Sequence, residues 1–505
     1  MKKIIGLFLI SMTLSALFIS CDTAKKESVE AENPAEAAAE DSENAGAENT
    51  AERLYPDVPG DAAFDGYDFT FLTVYDSGID WTDWDPRDIY AEAENGDLIN
   101  DAVYRRNATV EEKYDIKINE TCVLRSAFNT RLRTAVASGD DDFDAAMPYL
   151  QEVVSYAQQG WLSDLHGIPY MDLSKPWWNR SCVAQMSVGF HLYFVQGDIT
   201  VIDNDAMEAM VFNKDIIRHN ELESPYELVD AGKWTLDKMI ELSRNVAADL
   251  NGDGVMDLRD DRFGLVVQRT SFLSFYAAAG GTIVGKDGGD LPYINFAGEK
   301  NYSLLTKLTE MMQDKQNVVD LHRYEGKFAI YDEQANMFSE GRALFMWLRM
   351  RVVENLRNMD ADFGIIPMPK SDELQKNYIG RMNHNVSTVL TVLKTGANPE
   401  RTGIILEALA AESKYTLQPA YYEINLKTKF ARDSESEAML DIIYDTHNML
   451  YDIAEIYNFG DFTGTIRGIP THDRNADYAS QFEKYEPRMQ KDIEKIIENY
   501  ENAAN

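Results

Sequence analysis

The sequence is poor in positive charge, in cysteine and histidine, and in apolar runs long enough to cross a bilayer. Lysine and arginine number 48 against 85 aspartates and glutamates, a formal net charge of −37. A nucleic-acid backbone has to be met by Lys and Arg, so this balance excludes a nucleic-acid partner. It also disfavours docking of the protein surface on anionic lipid. The 7 histidines are scattered, with no His-x-x-x-His pair, and no Cys-x-x-Cys occurs, which removes the common zinc signatures. A Gly-rich phosphate loop and a Gly-x-Ser-x-Gly elbow are missing too, so the expectation is a protein that is not an enzyme. Of the 3 cysteines, Cys21 stands near the N-terminus. Cys122 and Cys182 either form one disulfide or remain two buried thiols.

The long apolar run stands at the start. Lys2 and Lys3 precede Ile4 to Ile19, and Ser20 and Cys21 follow. So short a run behind two lysines reads as a secretory signal, because a spanning helix needs about 20 apolar residues. Leu17-Phe18-Ile19-Ser20-Cys21 resembles the lipobox of bacterial lipoproteins, with Phe18 where Leu, Val or Ile is usual. That resemblance makes residues 1–21 a signal peptide and lipobox. It implies an acylated Cys21 that holds an extracytoplasmic protein to the cell membrane by lipid alone. An ordinary cleaved signal with an incidental cysteine is the alternative. Residues 22–52 are mostly Ala, Glu, Asn and Ser without an aromatic side chain, too little apolar surface to offset the entropy of ordering. Residues 22–55 are therefore expected to be a disordered acidic tether.

The remainder of the 505 residues exceeds one ordinary core, so two lobes or more are expected. Phe69 to Val74 reads as a strand, Leu98 to Glu112 as an amphipathic helix, and Asp115 to Asn119 as the next strand. Arg131 to Ala137 is a helix, Phe143 to Met147 a buried strand, and Leu150 to Gln159 a helix ending at Gly160. Strands return at Ala209–Phe212, Gly264–Val267, Phe363–Ile366 and Val389–Leu393, and helices at Leu236–Ala248 and Tyr302–Gln313. Helices over Ser436–Tyr457 and Ala479–Tyr500 close the chain. Alternating strands and helices predict an α/β body with a largely parallel sheet.

Four passages carry a family resemblance. They are Tyr170 to Asn179 (YMDLSKPWWN) with Gly197-Asp198-Ile199; Phe212-Asn213-Lys214-Asp215 with Gly232-Lys233-Trp234-Thr235; Phe338 to Phe345 (FSEGRALF); and Asp362 to Pro369 (DFGIIPMP). In that order they resemble the extracellular solute-binding proteins of ABC importers, in the branch with maltose- and oligosaccharide-binding members, over residues 64 to 503. The resemblance implies a two-lobed periplasmic-binding-protein-like α/β fold, with ligand in a cleft between the lobes. Lobe one would hold residues 64–200 and 380–420, and lobe two 201–379 and 421–505. It further implies a carbohydrate ligand, importer permease subunits as partners, and a monomer.

Sugars offer hydroxyls and flat apolar faces, so their sites pair carboxylates, amides and Arg with stacking aromatics. Strand ends supply the candidates: Tyr75, Asp76, Asp80, Trp81 and Trp84; Tyr149 and Glu152; Asp203 and Asp205; Gln268, Arg269 and Phe272; Trp347 and Arg349. Trp347, followed by Arg-x-Arg, is the preferred stacking residue. One metal-like motif remains. Asp249, Asn251, Asp253, Val255, Asp257 and Asp260 stand at places one, three, five, seven, nine and twelve of a calcium loop, with Gly254 at the sharp turn. Asp at the last place resembles dockerin-like loops, and a structural calcium ion is expected there. A secreted glycoside hydrolase and a calcium-stabilised surface adhesin are the competing functions.

Overall fold

The computed structural model describes residues 53–76, 86–139, 141–356, 359–422, 433–474 and 476–504. The signal segment with Cys21, the tether as far as residue 52, and the candidates Asp80, Trp81 and Trp84 lie outside the described residues. The body begins at Tyr55.

Lobe one is built on β1 (Tyr67–Tyr75), β2 (Ile116–Leu124) and β3 (Ala145–Met147), all parallel, with β1 in the middle. Phe69, Phe71, Leu72, Thr73 and Val74 of β1 are buried, the signature of a parallel strand covered on both faces. Helix α1 (Leu98–Tyr114) joins β1 to β2, and α2 (Arg125–Ser138) joins β2 to β3. Asp97 caps α1 by accepting the Ile99 and Asn100 N–H groups. α2 begins six residues before the helix read from the sequence. Helix α3 (Leu150–Gln158) follows β3.

The strand expected at Val389–Leu393 is a threaded segment rather than a laddered strand. Successive residues bridge to different neighbours, Thr388 to Tyr149, Leu390 to Val195, Thr391 to Ala146 and Leu393 to Leu162. Cys182 is buried and Cys122 exposed, with no disulfide between them, so neither the bridge nor a pair of buried thiols describes them.

Lobe two is a mixed sheet of β4 (Glu208–Asn213), β5 (Phe263–Val267), β6 (Val318–Asp320), β7 (Ala343–Arg349) and β8 (Phe363–Ile366), in the order β8-β4-β7-β5-β6. β4 runs antiparallel to β7 and β8, whereas β5, β6 and β7 are parallel. Every residue of β4, β5 and β7 is buried.

Two of the crossings between the sheets touch each other. Met207 bridges to Met382, and the Asn383 N–H donates to the Ala206 carbonyl at 3.0 Å. The long helix Tyr478–Ala504 packs on α3 and also on the lobe-two helix Glu299–Gln313. The single helix expected over Ser436–Tyr457 is interrupted. It ends at Ile443, and the Asp445 side chain then accepts the His447 N–H in a short turn before a second helix at Ile453–Ile456. Such local side-chain bonds compete with helix. Among the described residues no helix is long and apolar enough to cross a membrane.

The tryptophan pair of the YMDLSKPWWN passage is structural. Trp177 and Trp178 are buried and donate their indole N–H groups to opposite oxygens of Glu407, at 3.0 and 2.8 Å. Gly197 is required beside them, since a Cβ there would stand 2.3 Å from the Trp177 carbonyl oxygen.

Candidate functional site

Parallel strands that end together leave their loops at one edge, and that edge is where α/β proteins bind ligands. In lobe two β5 ends at Val267, opposite Asp320 of β6, and β7 ends at Arg349, opposite Glu208 at the start of β4. The residues just beyond form a cavity of about 280 Å³ with the second crossing segment. Arg269, His322, Tyr331 and Arg349 come from the sheet side, Asn383, Asn385 and Val386 from the crossing, and Arg467 from the helix Phe462–Thr471. The Arg349 guanidinium lies 5.1 Å from the centre of the Tyr331 ring, and burial lowers its pKa. The Arg269 backbone N–H donates to His322 Nδ1 at 3.1 Å. Burial likewise holds His322 below its usual range, which favours the neutral ring.

Lobe one faces the same crossing. Tyr149 bridges to Thr388, and the Leu150 N–H donates to the Ser387 carbonyl at 2.8 Å, next to Val386 of the cavity wall. Arg125, the first residue of α2, covers Tyr149 and pairs with Glu152 at 2.7 Å and Asp76 at 3.8 Å. Burial pushes the Tyr149 hydroxyl up to about 12, against the lowering effect of Arg125. Between the lobes Asp205 is buried, with Oδ2 taking Arg87 at 2.8 Å and Arg351 at 3.3 Å. Its other oxygen accepts the Tyr421 hydroxyl at 3.0 Å. Beneath the cavity Arg381 holds Glu208 through both carboxylate oxygens at 2.8 Å and also pairs with Glu455.

The strand-end candidates therefore divide. Arg269 and Arg349 line the cavity, while Asp76, Tyr149, Glu152 and Asp205 lie outside its lining, each held by an arginine. Trp347 does not line it either: it is buried inside β7, paired with Met210 of β4. Its backbone carbonyl accepts the Gln334 side chain. A residue two places before a strand end still lies within the sheet, which is why the expected stacking role fails. Phe272 is buried as the second residue of the helix Ser271–Ala278, where it stacks on Tyr478 at 6.5 Å. Gln268 is buried and donates to Gln334 at 2.5 Å. Asp203 is buried, and burial raises its carboxyl well above the usual range. The reading missed Arg125, Arg87, Arg351, Tyr331, Asn383, Asn385 and Arg467. The Arg-x-Arg after Trp347 was a usable signal for Arg351, whereas Arg467 and the asparagines reach the cavity through tertiary folding alone.

The Asp249–Asp260 loop is a string of side-chain-to-backbone turns. Asp249 accepts the Gly252 and Gly254 N–H groups at 2.6 and 2.7 Å, and Asp253 accepts that of Val255 at 2.8 Å. Asp261, outside the ligand pattern, is buried and accepts the Leu250 and Asp257 N–H groups at 2.8 and 2.7 Å, which lowers its pKa. Among the described residues no three acidic, His or Cys side chains are grouped to hold a metal ion. The expected ligand set is thus present in order along the loop but does not converge on one point.

A second cavity, of about 550 Å³, opens between Asp198, Asn204, Lys414, Gln418 and Tyr421, Tyr422 and Tyr444. It is larger, yet none of the strand-end candidates lines it.

No family model matches the sequence, and no curated protein is similar to it. Solved structures do match. An ABC substrate-binding protein of Listeria monocytogenes in complex with cycloalternan is 14% identical, covering 86% of this chain and 99% of its own, with a TM-score of 0.50. A cyclo/maltodextrin-binding protein complexed with maltotetraose is 11% identical, over 86% and 96%, with a TM-score of 0.53. The apo form of RafE from Streptococcus pneumoniae is 12% identical, over 88% and 100%, with a TM-score of 0.51. At such identities the likeness concerns the fold, and the chain has the two-lobed α/β fold of the ABC substrate-binding proteins.

Proposed function

We propose that the protein captures a carbohydrate in the cleft at the lobe-two strand ends and passes it unchanged to the permease subunits of an ABC importer. The observation that carries this is the convergence of the β5 and β7 ends and the second crossing on one cavity, with Tyr149 of lobe one bridged to Thr388 of that same crossing. Two solved proteins of this fold hold saccharides, cycloalternan and maltotetraose. Binding without turnover fits the carboxylates present. Glu325 is the one acidic residue in the described lining of the cavity, whereas a glycoside hydrolase needs a pair of carboxyls flanking the bond it cuts. In the same reading Cys21 carries the acyl anchor, the protein works as an extracytoplasmic monomer, and the Asp249 loop takes a structural calcium ion once its side chains turn inward.

The test is calorimetry of the full chain in detergent against a panel of mono- and oligosaccharides, followed by recovery of the bound sugar after long incubation. Saturable binding of an unchanged sugar is the expected result. Turnover of that sugar places the protein among the hydrolases, and a flat response across the panel defeats the carbohydrate reading.

A further inference from the structure

The ring of His322 carries its proton in a fixed place. β5 and β6 are parallel neighbours, paired last at Val267 and Asp320. Arg269 and His322 each stand two residues beyond that pair, and the Arg269 backbone N–H donates to His322 Nδ1 at 3.1 Å. The imidazole thus continues the ladder where the backbone after β6 has turned away into Leu321–Tyr324. A backbone N–H can only donate, so Nδ1 must accept, and a neutral ring that accepts at Nδ1 carries its proton on Nε2. Burial favours that neutral ring. The turn beneath is anchored as well. Asp320 is buried; its Oδ1 accepts the His322 backbone N–H at 3.1 Å, and its Oδ2 accepts the Thr471 hydroxyl at 2.6 Å. Nε2 meets no acceptor among the described residues, and His322 lines the cavity.

Resting on the carbohydrate reading above, we infer that His322 is a specificity-determining residue that gives Nε2–H, as a donor held in place, to an oxygen of the bound saccharide. A sugar hydroxyl can accept as well as donate, so ring and hydroxyl fit each other in one sense only. A second proton on the ring upsets the fit. Nδ1–H would then face the Arg269 N–H, donor against donor, and the ring would add its charge to the guanidiniums of Arg269, Arg349 and Arg467 in the same lining. Asp320 and Glu325 on the ring's own turn oppose that repulsion. Tyr331 stays uncharged, since burial raises its pKa, and the crossing brings Asn383, Asn385 and Val386, which carry no charge. Affinity therefore falls as acid charges the ring.

The experiment has two parts, both on the full chain in detergent. Nitrogen shifts of the histidine rings in ligand-free, isotope-labelled protein, assigned by the signals missing from His322→Gln, should show a protonated Nε2 and a bare Nδ1. The reverse tautomer, or a doubly protonated ring at neutral pH, overturns the proposal and leaves the carbohydrate reading intact. Calorimetry with maltotriose, cellotriose and xylotriose follows. Asn at this place keeps an amide oxygen for the Arg269 N–H but no donor where Nε2 stands, so His322→Asn should weaken binding about tenfold or more. Gln carries its amide N–H groups out to the Nε2 position, so His322→Gln should stay within about threefold of the parent. The parent's affinity should fall on acidification, and the profile of His322→Gln should be flatter. A sugar that binds the parent and a folded His322→Asn alike overturns the donor role and keeps the carbohydrate reading. If His322→Asn does not fold, a pH profile identical in the parent and His322→Gln has the same force. A flat response to all three sugars removes both readings together.

Discussion

The guanidinium of Arg125 lies over the ring of Tyr149, 4.3 Å from its centre. The pair couples the start of α2 to the crossing strand, because Arg125 also holds Glu152 and Asp76 while Tyr149 bridges to Thr388. A cation over an aromatic ring contributes about 0.5–2 kcal/mol, and its loss frees two carboxylates besides. Arg125→Ala should therefore weaken ligand binding by about tenfold, whereas Tyr149→Phe, which keeps the ring, should change it by less than about threefold. Calorimetry on both variants separates the cation from the hydroxyl.

Trp347 should matter for stability. It is buried within β7, and truncating so large a side chain costs about 3–5 kcal/mol. Trp347→Ala should lower the denaturant midpoint accordingly. Where the variant still folds, its ligand affinity should stay closer to that of the parent than the affinity of Arg125→Ala does.

Glu407 ties stability to pH. Burial raises its carboxyl to about 7, even though both indole N–H groups and the Asp172 backbone oppose the rise. The folded protein thus holds this proton more tightly than the unfolded chain, whose glutamates titrate near about 4.3. The stabilisation is full below that value and is lost as pH climbs through 7. Burial raises Glu120 and Asp198 to about 7 as well. The melting temperature should therefore fall between pH 5 and pH 8. Glu407→Gln should make the fall shallower. At pH 5 it should also cost about 1–3 kcal/mol, since an amide has one acceptor oxygen for two indole donors.

Calcium added to metal-stripped protein should raise the melting temperature by mass action. Asp253→Ala combined with Asp257→Ala should abolish the rise. An identical melting curve with and without calcium would show that the loop is held by its own backbone bonds.

Cys21→Ala should release the protein from membranes, because no described helix can span one. Fractionation after an alkaline wash reads the result, and retention of the variant would put the attachment elsewhere.

Much of the scaffold was legible because it is written in local pattern. The run Phe69 to Val74 and the apolar stretches Ala209 to Phe212 and Gly264 to Val267 announce themselves within a few residues. Side-chain destination was far less legible. Trp347 and Arg349 stand two residues apart on one strand, yet one is sealed in the sheet and the other lines the cavity. The difference is set by where β7 ends against Glu208, a register between segments more than a hundred residues apart. Arg467 and Asn383 could be placed only once the C-terminal helices and the second crossing had packed.

Lobe one is completed by chain that comes after most of lobe two. The Ala146 N–H and carbonyl wait for Thr391, whose backbone oxygen lies 2.9 Å from that N–H and whose hydroxyl donates to that carbonyl across 245 residues. Until residue 391 arrives, β3 is an open edge, and open edges invite pairing with other chains. Closing so long a loop early is entropically unfavourable, which slows folding in proportion to how non-local its pairings are. Recovery from denaturant should accordingly be slow and worsen with protein concentration, a kinetic vulnerability set by the double crossing that also builds the cleft.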